Sequence, residues 1–479
     1  MWSEVTSIIF SAIYLVVALG IALVVISENR NPIKALSWVM VVLLIPAVGI
    51  ILYYFFGQDL RHTHTIHRKI YRRLSSVPYS FEDYAIVSKP ILQKPQYRPV
   101  EQLCERLGDS PVLAAQEIKT FTTGHDKFEA LFTDIRAAKQ HIHLQYYAIE
   151  SDRLGNQLAD LLTQKVREGV IVRILYDDVG SWGARRSFWK RMRKAGVQVY
   201  PFMKVVIPYL SSRVNYRNHR KLAIIDGEIG YMGGMNIADR YYYGNEMGPW
   251  RDTHFRLTGG IVAELQTAFL IDWFLITRRV VHLRDYFPKR LTTGDAPLIP
   301  MQFFLGSPVG TWRSIEQAIN YLILRATRRI CIETPYFLPT QTLNEALAMA
   351  ALGGVEVNLL IPRKGDVLAS QLASLSYLDG LMEAGVRVYF YKAGFLHSKF
   401  LTIDGKVALV GSANMDFRSF EHNFECASII YEAGFTQQLE EIFAQDLNNS
   451  EPVIPTRWRE RKRWRRFCES IMRLFSPLL

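Results

Sequence analysis

The sequence carries one long pattern twice. HRKLAIIDGEIGYMGGMN occupies residues 219–236 and HSKFLTIDGKVALVGSAN occupies residues 397–414, and the two align without a gap. Flanking segments repeat in the same order, because RAAKQHIHLQYY and RATRRICIETPY begin at 136 and 325, and AGVQVY and AGVRVY begin at 195 and 384. Several matched segments in one order indicate two copies of a single structural unit. We therefore expect two similar halves.

The alternation of patterns beyond residue 115 predicts an α/β fold. Residues 158–178 and 343–363 both combine an amphipathic helical pattern with a β-branched run. We place the first half at 116–287 and the second at 288–450. The first copy holds eleven additional residues ahead of its motif, within 201–218. That insertion is either a lid that contacts substrate or a tolerated surface loop.

The repeated motif supplies chemistry as well as structure. A histidine and a lysine two residues apart on a strand project from the same face. If the halves pack about a pseudo-twofold axis, two imidazoles, two ammonium groups and two amides meet in one site, a set that suits an anionic phosphodiester. The candidate residues are His219, Lys221, Asp226, Asn236 and Asp252 in the first half and His397, Lys399, Asp404, Asn414 and Glu425 in the second.

Each residue type in this set has an expected role. One neutral histidine can attack phosphorus and form a phosphohistidine, while the other handles the protons of the leaving and entering hydroxyl groups. The lysines and asparagines can neutralise the phosphate oxygens, so no metal or other cofactor is expected. Histidines buried in a core and solvated lysines are the alternative, which the duplication disfavours.

The carboxylates divide into two pairs. Asp226 lies seven residues beyond His219, about 23 Å along an extended strand, so Asp226 and Asp404 are expected to hold their Asp-Gly turns instead of touching the imidazoles. Asp252 and Glu425 follow the motif asparagines at corresponding points. We expect this second pair to orient the imidazoles and stabilise their charged forms.

The N-terminus predicts membrane insertion. Residues 5–26 and 35–56 are two runs of 22 residues, the first without a formal charge, and each is long enough to cross a bilayer as a helix. We assign 1–60 to a transmembrane hairpin and 61–115 to a basic juxtamembrane linker. A cleaved signal peptide and a buried core helix are the alternatives for the two runs. Basic residues concentrate after the second run, which predicts that the bulk of the chain is cytoplasmic.

The positive charge is concentrated at the C-terminus. The net charge is +12, and the segment from Arg457 onward holds eight Lys or Arg against two Glu, which accounts for half of that charge. Apolar residues recur there at helical spacing, so the tail at 451–479 is expected to form a basic amphipathic helix on anionic lipid. A solvated tail or a helix packed on its own domain is the alternative. The four cysteines show no disulfide or zinc-site spacing.

These motifs resemble the phospholipase D superfamily, whose signature is H-x-K-x4-D followed by G-[GS]-x-N. The layout of the whole chain is similar to that of the membrane-anchored bacterial cardiolipin synthases. The resemblance implies two α/β/α sandwich halves that share a site at their interface. It also implies an enzyme of the bacterial inner membrane that condenses two phosphatidylglycerols into cardiolipin and glycerol, with no nucleic-acid partner.

The resemblance assigns roles to individual residues. His219 would be the nucleophile and His397 the acid and base, although the reverse assignment stays open. Lys221, Lys399, Asn236 and Asn414 would hold phosphate, and Asp226 and Asp404 belong to the signature. Candidates for gripping the headgroup, or else ordinary surface charges, are Arg213, Arg217 and Arg220. A hydrolytic phospholipase D, a transferase using phosphatidylethanolamine, a nuclease and a membrane scaffold remain as alternatives.

Overall fold

The computed structural model describes residues 2–27, 32–45, 47–57, 96–108, 110–205, 215–279, 286–287 and 298–479. The helices are α1 Trp2–Ser27, α2 Pro32–Leu44, α3 Val48–Leu52, a π-helix Tyr53–Gly57, α4 Arg98–Gly108, α5 Gly124–Ala137, α6 Arg153–Arg167, α7 Arg186–Lys194, α8 Asp239–Tyr243, α9 Val262–Thr277, α10 Ser314–Leu324, α11 Gln341–Leu352, α12 Leu368–Leu375, α13 Leu378–Glu383, α14 Phe417–Glu421, α15 Ala433–Asn448, α16 Pro455–Arg459 and α17 Arg463–Leu474. The strands are β1 Val112–Ala115, β2 Glu117–Phe121, β3 His141–Tyr146, β4 Ile171–Asp177, β5 Gln198–Phe202, β6 Arg217–Asn218, β7 Leu222–Ile225, β8 Ile229–Gly233, β9 Trp250–Arg251, β10 His254–Thr258, β11 Ile299–Gly306, β12 Arg329–Glu333, β13 Phe337–Leu338, β14 Glu356–Pro362, β15 Arg387–Tyr391, β16 Phe395–Leu396, β17 Phe400–Ile403, β18 Val407–Gly411, β19 Met415–Asp416, β20 Asn423–Ile430 and β21 Ser450–Pro452.

The two sheets have the same topology. The first half forms a sheet in the order β2-β10-β8-β7-β3-β4-β5, and the second half repeats it as β11-β20-β18-β17-β12-β14-β15, with β1 and β21 added at the edges. In each sheet three strands are parallel and lead into an antiparallel hairpin, β7–β8 or β17–β18. The parallel strands are joined through helices, because parallel neighbours need a long crossover connection. The predicted duplication of an α/β unit is confirmed.

A shared apolar core joins the halves. Leu222 and Phe255 of the first half and Phe303 and Phe400 of the second lie in one buried cluster, together with residues of α9 and α15. Separate clusters fill the outer layers, between the first sheet and α5 to α7 and between the second sheet and α4, α10 and α11. Burial of apolar surface on both sides of the interface holds the two sheets in a fixed relation. That relation positions the motifs.

The predicted linker at 61–115 is partly built into the second half. Its residues 61–95 lie outside the described ranges, and α4 and β1 lie within them. Val100, Cys104 and Val112 lie in the core of the second half, and β1 pairs antiparallel with β11. The amphipathic helix α4 and the short apolar strand β1, which precede the first half in the sequence, therefore pack on the second half.

The N-terminal segment contains one helix of membrane-spanning length. Val5–Ser27 is apolar over 23 residues. The second apolar run is not one helix, because α2 has 13 residues and ends at Leu44, and α3 begins only at Val48. That run contains Pro46, and proline has no N–H to donate to a helix. The described residues therefore contain one helix long enough to cross a bilayer and a second, interrupted apolar segment.

The C-terminal helix α17 has two distinct faces. Trp464 is 71% exposed and Leu474 is 77% exposed, with Phe467 on the same face. On the opposite face Glu469 is buried and pairs with Arg461. The helix thus packs on its own domain and also presents the expected basic, apolar stripe to the outside.

Candidate active site

The motif histidines lie where each half reaches into the other. His219 follows β6, which leaves the first sheet and pairs in parallel with the start of β20 in the second. His397 follows β16, which pairs in parallel with β9 of the first half. The backbone N–H of His219 donates to the carbonyl of Phe424 at 2.8 Å, and that of His397 donates to the carbonyl of Arg251 at 2.7 Å. Each motif is therefore held by backbone of the opposite half.

This exchange brings each imidazole to a carboxylate of the other half. His219 Nδ1 lies 2.9 Å from Glu425 Oε1, and His397 Nδ1 lies 2.6 Å from Asp252 Oδ2. Both carboxylates are fully buried. A carboxylate on Nδ1 fixes the ring and its tautomer, and leaves Nε2 as the reactive nitrogen. We call these two contacts the crossed histidine–carboxylate pairs.

The glycine-rich segments differ at Gly234 and Ser412, and this difference has a steric cause. A Cβ at Gly234 would lie 2.1 Å from Asp252 Oδ1, so only glycine leaves room for that carboxylate. The second motif has Ser412 at this position, and its hydroxyl donates to Glu425. Glycine admits the carboxylate in one half, and serine binds it in the other.

Both motif lysines are buried beside the histidines. The Nζ of Lys221 donates to the carbonyl of His219 at 2.6 Å, and Lys399 makes the corresponding contact with the carbonyl of His397. Burial lowers the pKa of Lys221 to about 7 and that of Lys399 to about 8, although the charge of Glu425 opposes the shift in both. The charge of Lys399 also lowers the pKa of His219, and that of Lys221 lowers the pKa of His397. Each lysine is therefore close enough to act on the histidine of the other half, as expected in one shared site.

The two crossed histidine–carboxylate pairs contain four titratable groups, and all four have lowered pKa values. Burial lowers the pKa of His397 to about 3, and it also lowers the pKa of His219. Burial alone would raise the pKa of Glu425, but the charges of His219 and Lys221 outweigh it and hold that pKa at about 2. The pKa of Asp252 is likewise lowered, because Lys399 and His397 outweigh its burial. The lowered pKa values therefore favour ionised carboxylates and neutral imidazoles in the site.

The motif asparagines tie loops to the site. Asn236 accepts from the backbone N–H of Ala148 at 3.1 Å and donates to the hydroxyl of Tyr241 at 2.8 Å. Asn414 donates to Asp416 at 3.1 Å. These contacts place both amides among site residues, and their binding of phosphate stays a prediction.

Asp226 and Asp404 hold turns. Asp226 accepts from the backbone N–H groups of 139, 140 and 141 at 2.7 to 2.9 Å, at the start of β3. Asp404 accepts in the same way from Thr327 to Arg329, at the start of β12. Both adopt left-handed backbone angles, with φ of 54° and 55°. The signature aspartates therefore fasten each hairpin to its neighbouring strand at the end of the hairpin away from the histidines.

The arginines beside the first motif are internal. Arg220 is fully buried and pairs with Asp272 while it donates to the carbonyl of Glu425 at 3.0 Å. Arg217 is also buried, 3.3 Å from Asp177. Both sequence interpretations, a headgroup grip and an ordinary surface charge, fail for these two residues, and Arg213 lies outside the described residues. Residues 206–214, half of the segment 201–218 that contains the insertion, also lie outside the described residues.

Aromatic side chains complete the walls, and the sequence reasoning missed them. Tyr147 lies edge-on to His219 with ring centroids 4.9 Å apart, and Trp250 lies 5.4 Å from His397. Tyr147 and Tyr336 close the two copies of the flanking repeat, 189 residues apart, so a signal for this pair was present. Trp250 and Tyr241 have no counterpart in the repeat that could have identified them.

Comparisons with known proteins agree with this geometry. The family model described as "Cardiolipin synthase, PLD-like domain" matches residues 131–273 and 319–447, and "Phospholipase_D-nuclease N-terminal" matches 12–58. Cardiolipin synthase 2 of Bacillus cereus is 38% identical over 97% of this chain and 91% of its own length. The major cardiolipin synthase ClsA of Bacillus subtilis is 36% identical over 99% of this chain and all of its own length.

The fold also occurs among solved structures. The phosphatidylserine synthase of Haemophilus influenzae superposes with a TM-score of 0.61 at 16% identity, covering 79% of this chain and 98% of that one.

Proposed function

Because the chain belongs to the cardiolipin synthase family of phospholipase D-like proteins, we propose that it transfers a phosphatidyl group between two phosphatidylglycerols. The products are cardiolipin and free glycerol. The observation that carries this proposal is the pair of crossed histidine–carboxylate contacts, each with its own buried lysine. Two equivalent imidazoles in one site with two buried lysines suit a reaction in two displacements at one phosphorus.

The first displacement forms the covalent intermediate. His219 Nε2 attacks phosphorus, a P–N bond forms and the P–O bond to the headgroup glycerol breaks. The His397 imidazolium gives its proton to the departing alkoxide. Glu425 stabilises the positive charge that develops on His219, as a carboxylate does in hydrolase triads.

The second displacement reverses these roles. The free hydroxyl of a second phosphatidylglycerol loses its proton to His397 and attacks phosphorus, and the P–N bond breaks. The two ester bonds exchanged are of one type, so no external energy source is needed. Lys221 and Lys399 stabilise the non-bridging oxygens in both steps.

Substrate charge sets the protonation state. In the substrate-free site burial keeps His397 neutral, with a pKa of about 3. A phosphodiester adds a negative charge beside the imidazoles and lysines, and this raises the pKa of each. The proton needed by the leaving glycerol is therefore taken up together with the lipid.

The membrane provides the acceptor. An apolar N-terminal helix and the exposed stripe of α17 keep the site at a bilayer, where the acceptor lipid is concentrated. Transfer then outruns hydrolysis, provided that water is largely excluded. We place the catalytic halves on the cytoplasmic side of a bacterial inner membrane, following the basic residues after the second apolar run.

The test uses purified protein in vesicles of labelled phosphatidylglycerol without added metal. We expect labelled cardiolipin and glycerol in equal amounts, and an acid-labile phosphoprotein on rapid quenching. His219→Ala should abolish both signals. The matched control is His125→Gln, because His125 is exposed on α5 and outside the site.

Other products would identify a different activity at this site. Phosphatidic acid in place of cardiolipin would indicate a hydrolase. Cardiolipin formed only when phosphatidylethanolamine is present would indicate a different donor. A His219→Ala variant that folds, inserts and still makes cardiolipin would overturn the proposed chemistry.

A further inference from the structure

The second apolar segment folds back on itself. The rings of Trp38 and Tyr53 lie 5.8 Å apart. Gly49 approaches α2 so closely that a Cβ there would lie 2.3 Å from the carbonyl oxygen of Val41. Pairing of 38 with 53 and of 41 with 49 means that the two arms run antiparallel. The chain reverses beside Ala47, whose φ is 58°.

Both ends of this hairpin contact the catalytic halves. At its start, Lys34 Nζ lies 2.8 Å from Glu421 Oε2, and Arg313 lies 2.9 Å from the same carboxylate. At its end, the side chain of Asn215 donates to the carbonyl of Phe55. Entry and exit of the segment therefore lie on one side, the side of the active site.

The hairpin is too short to cross a bilayer. α2 has 13 residues, about 20 Å of helix, against a hydrocarbon thickness of about 30 Å. α1 has 26 residues, about 39 Å. The hydroxyl of Tyr14, midway along α1, donates to the carbonyl of Val42 near the tip of the hairpin. A carbonyl freed at a helix end inside a membrane needs such a donor.

The part of α1 on the N-terminal side of Tyr14 is exposed and strongly apolar. Ile8 is 67% exposed there and Ile13 is 56% exposed. Lipid is the surroundings that such a surface requires. The long helix therefore continues through the membrane where the hairpin stops.

We propose that α2, α3 and the π-helix form a re-entrant hairpin, inserted from the face of the bilayer that carries the catalytic halves, and that α1 alone crosses. The N-terminus then lies on the opposite face. This inference rests on the membrane location in the proposed function, but not on the reaction. It places an apolar hairpin in the leaflet beside the catalytic halves, with its base held at Glu421.

Cysteine labelling in sealed membranes tests the topology. Three of the native cysteines are buried, so Cys468→Ser gives a background with little labelling. Three reporters are made in it: an N-terminal tag with one cysteine, Ser27→Cys at the end of α1, and Ser470→Cys on the exposed side of α17. A membrane-impermeant maleimide is added to either face. Ser470→Cys marks the side of the catalytic halves.

The re-entrant arrangement predicts that Ser27→Cys labels from the same face as Ser470→Cys, and the N-terminal tag from the opposite face. Two crossings predict the reverse for both reporters, which would overturn the proposal. Labelling of all three from one face would overturn it as well, because α1 would then not cross. The labelling reports topology even if no cardiolipin is formed, so the two proposals fail separately.

A second measurement removes the dependence on labelling. A short bis-maleimide added to membranes should join Lys34→Cys to Glu421→Cys within one chain and change its electrophoretic mobility. Two crossings would put these positions on opposite faces and prevent the cross-link. The Lys34→Cys single variant is the control for reaction with another site.

Discussion

Replacement of Gly234 by alanine should disable His397 without touching it. The new Cβ would lie 2.1 Å from Asp252 Oδ1, and real Cβ atoms essentially never come closer than 3.0 Å to a neighbour, so the carboxylate must retreat by about 1 Å. Asp252 has no free direction for this movement. It is fully buried, and it is held by the Thr253 N–H at 2.7 Å and His397 at 2.6 Å.

The expected loss is in kcat. A misplacement of about 1 Å in a catalytic group can cost about 100-fold in rate, equivalent to about 2.7 kcal/mol. Overpacking should also lower the free energy of unfolding by about 1–3 kcal/mol. Cardiolipin formation in phosphatidylglycerol vesicles measures the first effect, and thermal unfolding followed by circular dichroism measures the second.

The chain offers a matched control. A Cβ at Gly380, in α13, meets no atom within 4 Å, so Gly380→Ala should leave both kcat and stability close to those of the unaltered protein. A folded Gly234→Ala protein with unaltered kcat would refute the claim that the Asp252–His397 contact matters for catalysis.

Three further predictions follow from the same site. Glu425→Gln should lower kcat by about 100-fold or more, because Glu425 orients His219 of the other half. Steady-state assays and the yield of phosphoprotein after rapid quenching measure this loss. An unaltered yield of phosphoprotein would contradict the prediction. Burial lowers the pKa of Lys221 to about 7 and that of Lys399 to about 8, so both lysines are charged, and bind anions best, at pH values below these. Inhibition by tungstate should therefore weaken as the pH rises from 7 to 9. An inhibition constant that does not change over this pH range would contradict the prediction. Asp226→Ala should lower the melting temperature through the loss of three backbone contacts while the folded fraction retains most of its kcat, and a large fall in kcat at unaltered stability would contradict the turn-holding role.

The duplicated pattern predicted the fold because it contains the same elements in the same order. A single sequence is enough to predict the strand hairpins and the helix positions, because both depend on local patterns. It also separates the roles of Asp226 and Asp252, because these depend on the spacing of each aspartate from the motif. The crossing of His219 to Glu425 was not predictable in this way, since it depends on how two distant segments exchange places across an interface.

The structure differs from the sequence predictions at two other places, for reasons that hydropathy does not detect. The run at 35–56 has the length of a span, but its helix is interrupted near Pro46, and length alone does not indicate the direction of the chain afterwards. Arg220 looked like a headgroup ligand because charged residues are rarely fully buried. Asp272 and the carbonyl of Glu425, both far away in the sequence, satisfy it inside the protein.

The crossed contacts also bear on synthesis of the protein. A ribosome completes the first motif long before it reaches Glu425, and until then His219 has no carboxylate to orient it. Under the proposed mechanism, a growing chain therefore lacks a complete site, and phosphatidyl transfer requires the second half to have folded onto the first.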